Sequence, residues 1–243
     1  MRFVVLGGGC YGTFYTRQLL RAADSGAIPQ PEIVVVDHNA APQVREHSSD
    51  VRVRIVRSEW DDFFDEYMGS VDVACEDQIV PPPFTPHLAL SWLLRSLGPA
   101  WKTEPFRELP VLPFVNHSHE GTLTTSHADW ICPTHCVEPE TCPHTKGPRF
   151  WDMADSARAL AHRLSSGGQP VDQIHLFQCL HFTHGVGTYS AGSVRAAYEA
   201  LAAQPEARAL VGTVSRCHGA MHLLKGWGGT DTVSPRTLSA GFS

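Results

Sequence analysis

The chain has 243 residues, 42% of them apolar, enough for a sizeable core, which excludes a disordered polymer. A formal charge of −6, from 19 basic and 25 acidic side chains, excludes a broad nucleic-acid footprint, which needs a basic face. No window approaches the ~18 apolar residues of a membrane span. The start "MRFVVLGGGC" has no signal-peptide core, so a cytoplasmic location is expected. Seven cysteines, an odd number, fit reduced thiols better than a disulfide framework.

"RFVVL" at 2–6 reads as a buried strand stopped by three glycines, and "TFYTRQLLRAA" after it reads as a helix. "EIVVVDHN" is a second strand, "VRVRIVRS" at 51–58 a third, "EWDDFFDEYM" a short helix and "VDVAC" at 71–75 a fourth strand. Arg52, Arg54 and Arg57 on the third strand read as a solvated face or edge. "IVPPPFTP" at 79–86 is excluded from a central strand by its prolines and read as a turn before the helix "PHLALSWLLRSL". A short strand in "LPVLPFVNHSHEG" leads into a loop of more than thirty residues, 116–150, rich in His, Cys, Pro and Thr. Then follow the helix "WDMADSARALAHRLSSGG", the strand "VDQIHLFQCL", the glycine-rich loop "HFTHGVGTYSAGS", a helix near 194–203 and the strand "ARALVGTVS"; the last twenty-five residues read as a surface tail.

Gly7, Gly9 and Gly12 satisfy G-x-G-x-x-G between a predicted strand and a predicted helix. The first glycine permits the turn, the second lets a pyrophosphate approach the backbone, and the third lets helix and strand pack closely. The helix start offers N–H groups and a positive dipole end to phosphates. Asp37 ends the second strand, 25 residues beyond Gly12, where a carboxylate would accept ribose hydroxyls. On "VVLGGGCYG" and "VVVD", residues 1 to about 97 resemble a Rossmann-type NAD(P)-binding domain, as in dehydrogenases and TrkA-N-like regulatory domains. The resemblance implies the fold and a dinucleotide ligand, the acid favouring NAD over NADP, with Gly7, Gly9, Cys10, Gly12 and Asp37 at the cofactor. It implies no reaction. S-adenosylmethionine is the alternative ligand of such a glycine loop, and an unliganded tight turn the plain reading.

"ICPTHCVEPETCPHT" at 131–145 spaces Cys132, Cys136 and Cys142 as C-x3-C-x5-C, with His135 and His144 between and after them. Thiolates suit soft or borderline metals, and coordination bonds can replace an apolar core in such a loop. A fourth ligand is needed: Cys217 from afar, or His135, His144, His127, His117 or His119 nearby. Cys217 follows the predicted strand 208–215, at the carboxyl end where open parallel sheets bind ligands. That rim would also carry the glycine loop, Asp37, Asp77, Asn116 with His117, His181 with His184, and His218. Iron–sulfur and zinc both fit three cysteines plus one remote ligand. A zinc clip without chemistry, or no metal at all, are the plain readings.

His117 and His119, at i and i+2 on an extended segment, suit a metal or a proton relay if they are more than exposed loop histidines. "HFTHGVGTYSAGS" could hold an anion at the next helix start, or Ser190 or Ser193 could simply cap that helix. Cys10 serves steric accommodation in the glycine loop, and Cys75 and Cys179 read as small core residues. The expected architecture is α/β, a Rossmann-like doubly wound, mostly parallel sheet with an inserted Cys/His-rich metal-binding loop. Residues 1–115 form its dinucleotide-binding part, 116–150 the loop and 151–243 the part completing the same domain. The expected function is an NAD(P)-dependent oxidoreductase acting on a small molecule, with an iron–sulfur cluster or zinc on Cys132, Cys136, Cys142 and Cys217 and protons handled by His181, His184 and His117. Its alternative is a non-enzymatic nucleotide-binding redox sensor or accessory protein with a structural zinc clip. Neither nucleic acid nor membrane is an expected partner; a homodimer or a redox partner protein is.

Overall fold

The computed structural model describes residues 1–82, 87–107, 114–117, 121–130, 132–133 and 136–228. The first half runs β1 (Arg2–Leu6), α1 (Cys10–Asp24), β2 (Glu32–Asp37), a 3-10 turn (Gln43–His47), β3 (Val53–Arg57), α2 (Trp60–Gly69), β4 (Gln78–Val80) and α3 (Leu88–Leu97). Three strands follow, β5 (Trp101–Glu104), β6 (Phe114–His117) and β7 (Thr122–Ser126), then α4 (Met153–Ser166), β8 (Gln173–Gln178), β9 (Leu180–Thr183) and β10 (Val186–Ser190). The described chain ends with α5 (Ala191–Ala202), β11 (Arg208–Val214) and β12 (His218–Gly226). No helix among the described residues is long and apolar enough to cross a membrane.

The architecture is mixed α/β, built on two sheets rather than the single one expected. The first has the order β3-β2-β1-β4-β10-β9, with β3, β2, β1 and β4 parallel and β10 antiparallel to both neighbours. The second has the order β6-β7-β12-β11-β8, with β5 also on β12, and only β8 and β11 run parallel. β1 and β2 are apolar almost throughout because both faces are covered. Phe3, Val5, Ile33 and Val35 pack with Leu19 and Ala22 of α1, while Val4, Leu6, Val34 and Val36 face α2, α3 and α5. That helical layer is shared: Ala209, Val211 and Leu224 of the second sheet pack into the same cluster. Leu210, on the opposite face of β11, meets Leu160 and Leu164 of α4. Period-two alternation thus assigns each strand residue to one of two apolar layers. Edge strand β3 carries Arg54 and Arg57 outward as expected, Arg54 on Glu32, while Arg52, just before the strand, pairs with Asp50 and Asp24.

Several expected elements lie elsewhere. Val71–Cys75 is a turn, and the fourth parallel strand is Gln78–Val80, so Ile79 and Val80 do belong to a central strand that stops at Pro81; residues 83–86 lie outside the described residues. "HFTHGVG" is a hairpin, β9–β10, whose turn is Gly185 at φ +80° with His184 at +44°. The loop expected from 116 is interrupted by β7, and the expected tail contains β12, the central strand of the second sheet; 229–243 lie outside the described residues.

β12 also buries a histidine. His222 shares a 2.6 Å hydrogen bond with Thr122 Oγ1 and meets the His87 ring edge-on, centroids 5.5 Å apart. Burial, and then the charge of His87, pushes its pKa down to about 4. An unfolded histidine titrates near ~6.5, so the unfolded chain takes up this proton first as pH falls. Stability present above ~pH 6.5 is then lost as pH falls toward about 4, by roughly 3 kcal/mol from this group. Urea unfolding across that window is expected to show the decline, and His222→Gln to flatten it; an unchanged slope would refute the assignment.

Candidate functional site

The glycine turn is built as its spacing requires. Gly7 has φ +98°, a conformation that disfavours side chains, and its N–H donates to Val36 O at 2.8 Å. A Cβ on Gly12 would lie 1.7 Å from Gly7 O, so β1 and α1 approach too closely for any other residue. A Cβ on Gly9 would meet nothing within 4 Å, and α1 begins at exposed Cys10 with no side-chain cap. Asp37 is buried and already engaged: Gly8 N–H donates to its Oδ2 at 2.6 Å and Asn39 N–H to its Oδ1 at 2.8 Å. Pro42 and Val44 occupy the space beside Gly8, and Val44 N–H donates to Gly8 O. The open approach is therefore from Gly9 and Cys10.

The cysteine loop meets the β11–β12 turn. Glu138, at φ +50°, accepts from the N–H groups of Arg216 at 2.8 Å and Cys217 at 3.3 Å, tying the loop to that turn. Cys217 is buried, and its Sγ accepts the Trp151 indole N–H at 3.2 Å. Cys142 is also buried, in a knuckle closed by Cys142 N–H to Gly147 O and Lys146 N–H to Cys142 O, with Lys146 at φ +55°. The backbone N–H of Thr145, that of His144, the Thr145 hydroxyl and the Arg149 charge together hold its thiol below the usual range. Burial raises the Cys132 thiol, and so do the charges of Cys136, Cys217 and Cys142, opposed by the Trp130 indole. Burial likewise raises Cys217, against the Trp151 hydrogen bond, with Glu138 and Cys136 adding to the rise.

The four thiols thus share one neighbourhood, close enough for charge on one to resist ionisation of another. A cation among them would reverse that, favouring the thiolates. No group of three or more His, Cys, Asp or Glu side chains among the described residues stands in a ligating arrangement. Around the thiols, Trp130 stacks on His144 at 4.4 Å, and Arg149 lies 5.9 Å over Trp151. His127 Nε2 bonds Ser156 Oγ and His218 Nδ1 bonds Ser126 Oγ, both at 2.9 Å, and burial lowers both pKa values. Glu138, Trp130 and Trp151 carry no sequence signal of a role; only an acid and two indoles flanking the cysteines could have drawn notice.

The expected rim is only partly assembled. The glycine turn and Asp37 lie at the carboxyl ends of β1 and β2, with the β9–β10 turn beside α1. Asp77 lies at the opposite end, before β4, accepting from Arg2 N and Tyr67 Oη. His117 pairs with Leu123, which pairs with Met221, placing it along the second sheet and away from the Cys217 turn. The α5 start is no anion site: Ala191 donates to Asp77 O, Gly192 to Cys75 O and Ser193 to Ser190 Oγ, so Ser190 is the cap. Cys75 is exposed rather than core, while burial pushes the partly exposed Cys179 up to about 12. His119 and His135 lie outside the described residues.

His181 and His184 line an open cleft with Phe14, Gln18, Arg21 and Val137, the residue between Cys136 and Glu138. One family model matches residues 89–227, that of AF_1314_C, described as "Uncharacterized protein, C-terminal domain". The matched range holds all four clustered cysteines and excludes the glycine turn and Asp37. No curated protein and no solved structure matches the chain.

Proposed function

We propose, from the premise that the chain belongs to this family of an uncharacterised C-terminal domain, that it is an NAD(P)-dependent oxidoreductase with a metal centre on Cys132, Cys136, Cys142 and Cys217. The observation that supports this reading is the electrostatic coupling of Cys132 to Cys136, Cys142 and Cys217, with Trp151 N–H and the Cys142 knuckle donating hydrogen bonds to sulfur. Such donors stabilise thiolate over thiol and tune the potential of a bound cluster. The nucleotide half of the reading rests on the parallel order β3-β2-β1-β4, which is Rossmann-like, and on the glycine turn with its open side at Gly9. Gly7, Gly9, Cys10, Gly12 and Asp37 would hold the dinucleotide; Asp37 orients Gly8 and keeps lone pairs for a ribose hydroxyl.

A bound nicotinamide supplies the hydride chemistry, and the metal an electron relay or Lewis acid. The chain's own part is to orient and to move protons. His181 and His184 carry imidazoles to the cleft that Val137 shares, one residue from Cys136. One observation favours a second reading, a zinc-clipped accessory protein: the family's matched range contains the cysteines without the glycine turn.

Anaerobic purification with metal, sulfide and visible-spectrum measurement tests the centre. A brown protein containing iron and sulfide supports the oxidoreductase, one colourless zinc per chain favours the clip, and absence of any metal sinks the centre. NADH or NADPH is expected to raise the melting temperature; adenosylmethionine doing so while both nucleotides fail would overturn the dinucleotide.

A further inference from the structure

The cleft beside the cysteine loop carries polar side chains from two distant segments, α1 and the β9–β10 hairpin. Its residues come from α1 (Phe14, Gln18, Arg21), from the β9–β10 hairpin (His181, His184, Gly185) and from Val137, and it is an open depression of about 620 Å³. That volume suits a small molecule. Gln18 connects the two segments: its Nε2 donates to His184 O at 2.9 Å, and its Oε1 accepts from Arg21 NH1 at 3.3 Å. The hairpin turn thereby positions the guanidinium through one amide side chain. Among the described residues no carboxylate pairs with Arg21, whereas Arg17 and Arg208 each have one and Arg52 and Arg95 two.

The histidines add donors. His181 Nε2 accepts the Gly185 N–H at 3.0 Å, so the proton of the neutral ring sits on Nδ1. His184 Nδ1 is occupied by Thr183 Oγ1 at 2.9 Å, leaving Nε2. Phe14 and Val137 supply the apolar side, and Val137 is 41% exposed. A planar fork of donors with two imidazoles and an aromatic wall matches a carboxylate carried on an apolar body.

We infer that this cleft binds a small organic carboxylate through Arg21 and His181, with its apolar part against Phe14 and Val137. Naming that ligand the substrate rests on the oxidoreductase reading; its binding does not. The position of Val137 between Cys136 and Glu138 sets the ligand's apolar end against the cysteine loop.

The test uses the full chain and three probes: benzoate, its neutral isostere benzamide, and inorganic phosphate, followed by ligand-observed saturation-transfer NMR and competition. Benzoate is expected to bind, benzamide to bind at least about tenfold more weakly, and phosphate to compete poorly. Arg21→Met is expected to weaken benzoate at least about tenfold with an unchanged melting temperature, and Arg21→Lys to recover part of the loss. Equal binding of benzamide would reduce the cleft to an apolar groove. Phosphate competing as well as benzoate would reduce it to a general anion site, and wild-type benzoate affinity in Arg21→Met would remove Arg21. Each of these overturns the assignment. No nucleotide, metal or turnover enters the measurement, so its failure with intact metal content strikes the cleft alone.

Discussion

Gly12→Ala is expected to leave little folded protein. The added methyl would stand 1.7 Å from the Gly7 carbonyl oxygen and 2.7 Å from its carbon, both backbone atoms. Relief would require moving the Gly7 turn, whose N–H is bonded to Val36 O, or lifting α1 from β1. Either motion opens the layer in which Leu19 and Ala22 pack on Phe3, Val5 and Val35. The cost belongs with the largest single-residue effects, about 4 kcal/mol or more, which for a chain of this size lowers the melting temperature by roughly 10 °C or more. Gly9→Ala is the control: with nothing within 4 Å of its Cβ, it is expected to cost under about 1 kcal/mol while weakening any ligand that approaches that side. Thermal unfolding of the two variants decides the matter. A wild-type melting temperature for Gly12→Ala would mean that the turn is not as tight as described.

Cys217→Ser carries the second large effect, on metal rather than on fold. A serine oxygen can still accept the Trp151 indole N–H, so the buried position keeps its hydrogen bond and the β11–β12 turn keeps its tie to Glu138. What is lost is a sulfur ligand of the proposed metal centre. Metal affinity is expected to fall on the order of 100-fold or more, and Cys142→Ser to match it, since the knuckle donors would face a group that does not ionise. Trp151→Phe leaves four sulfurs and removes one N–H donor, so a smaller loss, roughly tenfold, is expected. Cys75→Ser, exposed and met only through its carbonyl by the start of α5, should change nothing. Competition against a chromophoric chelator measures all four. Unaltered affinity in Cys217→Ser would replace the remote thiol with another ligand.

The parallel strands were readable because burial on both faces makes β1 and β2 continuous apolar runs, and no turn residue interrupts them. The second sheet was harder to read. β7, "TLTTS", and β5, "WKTE", are short and polar, and they exist because β12 pairs with both. β12 itself carries glycine and histidine where a strand signal would want β-branched residues; buried Met221, Leu223 and Leu224 decide its state through packing. The link between Cys217 and the loop was legible as a strand-end placement, but the tie that makes it, Glu138 at positive φ to two backbone N–H groups, was not. Asp77 precedes its strand instead of ending it, because the apolar "VDVAC" forms a turn and β4 begins only at Gln78.

The position of β12 in the second sheet has a consequence for biogenesis. It is the last strand of the described chain, yet β5, β7 and β11 all hydrogen-bond to it, Leu223 reaching back to Glu104. During synthesis β5 and β7 therefore emerge long before their partner, and the sheet cannot close until β12 has left the ribosome. Cys217 arrives on the same turn. In the proposed metal centre the three loop thiols would therefore wait for their remote partner until that turn is made, some 75 residues after Cys142.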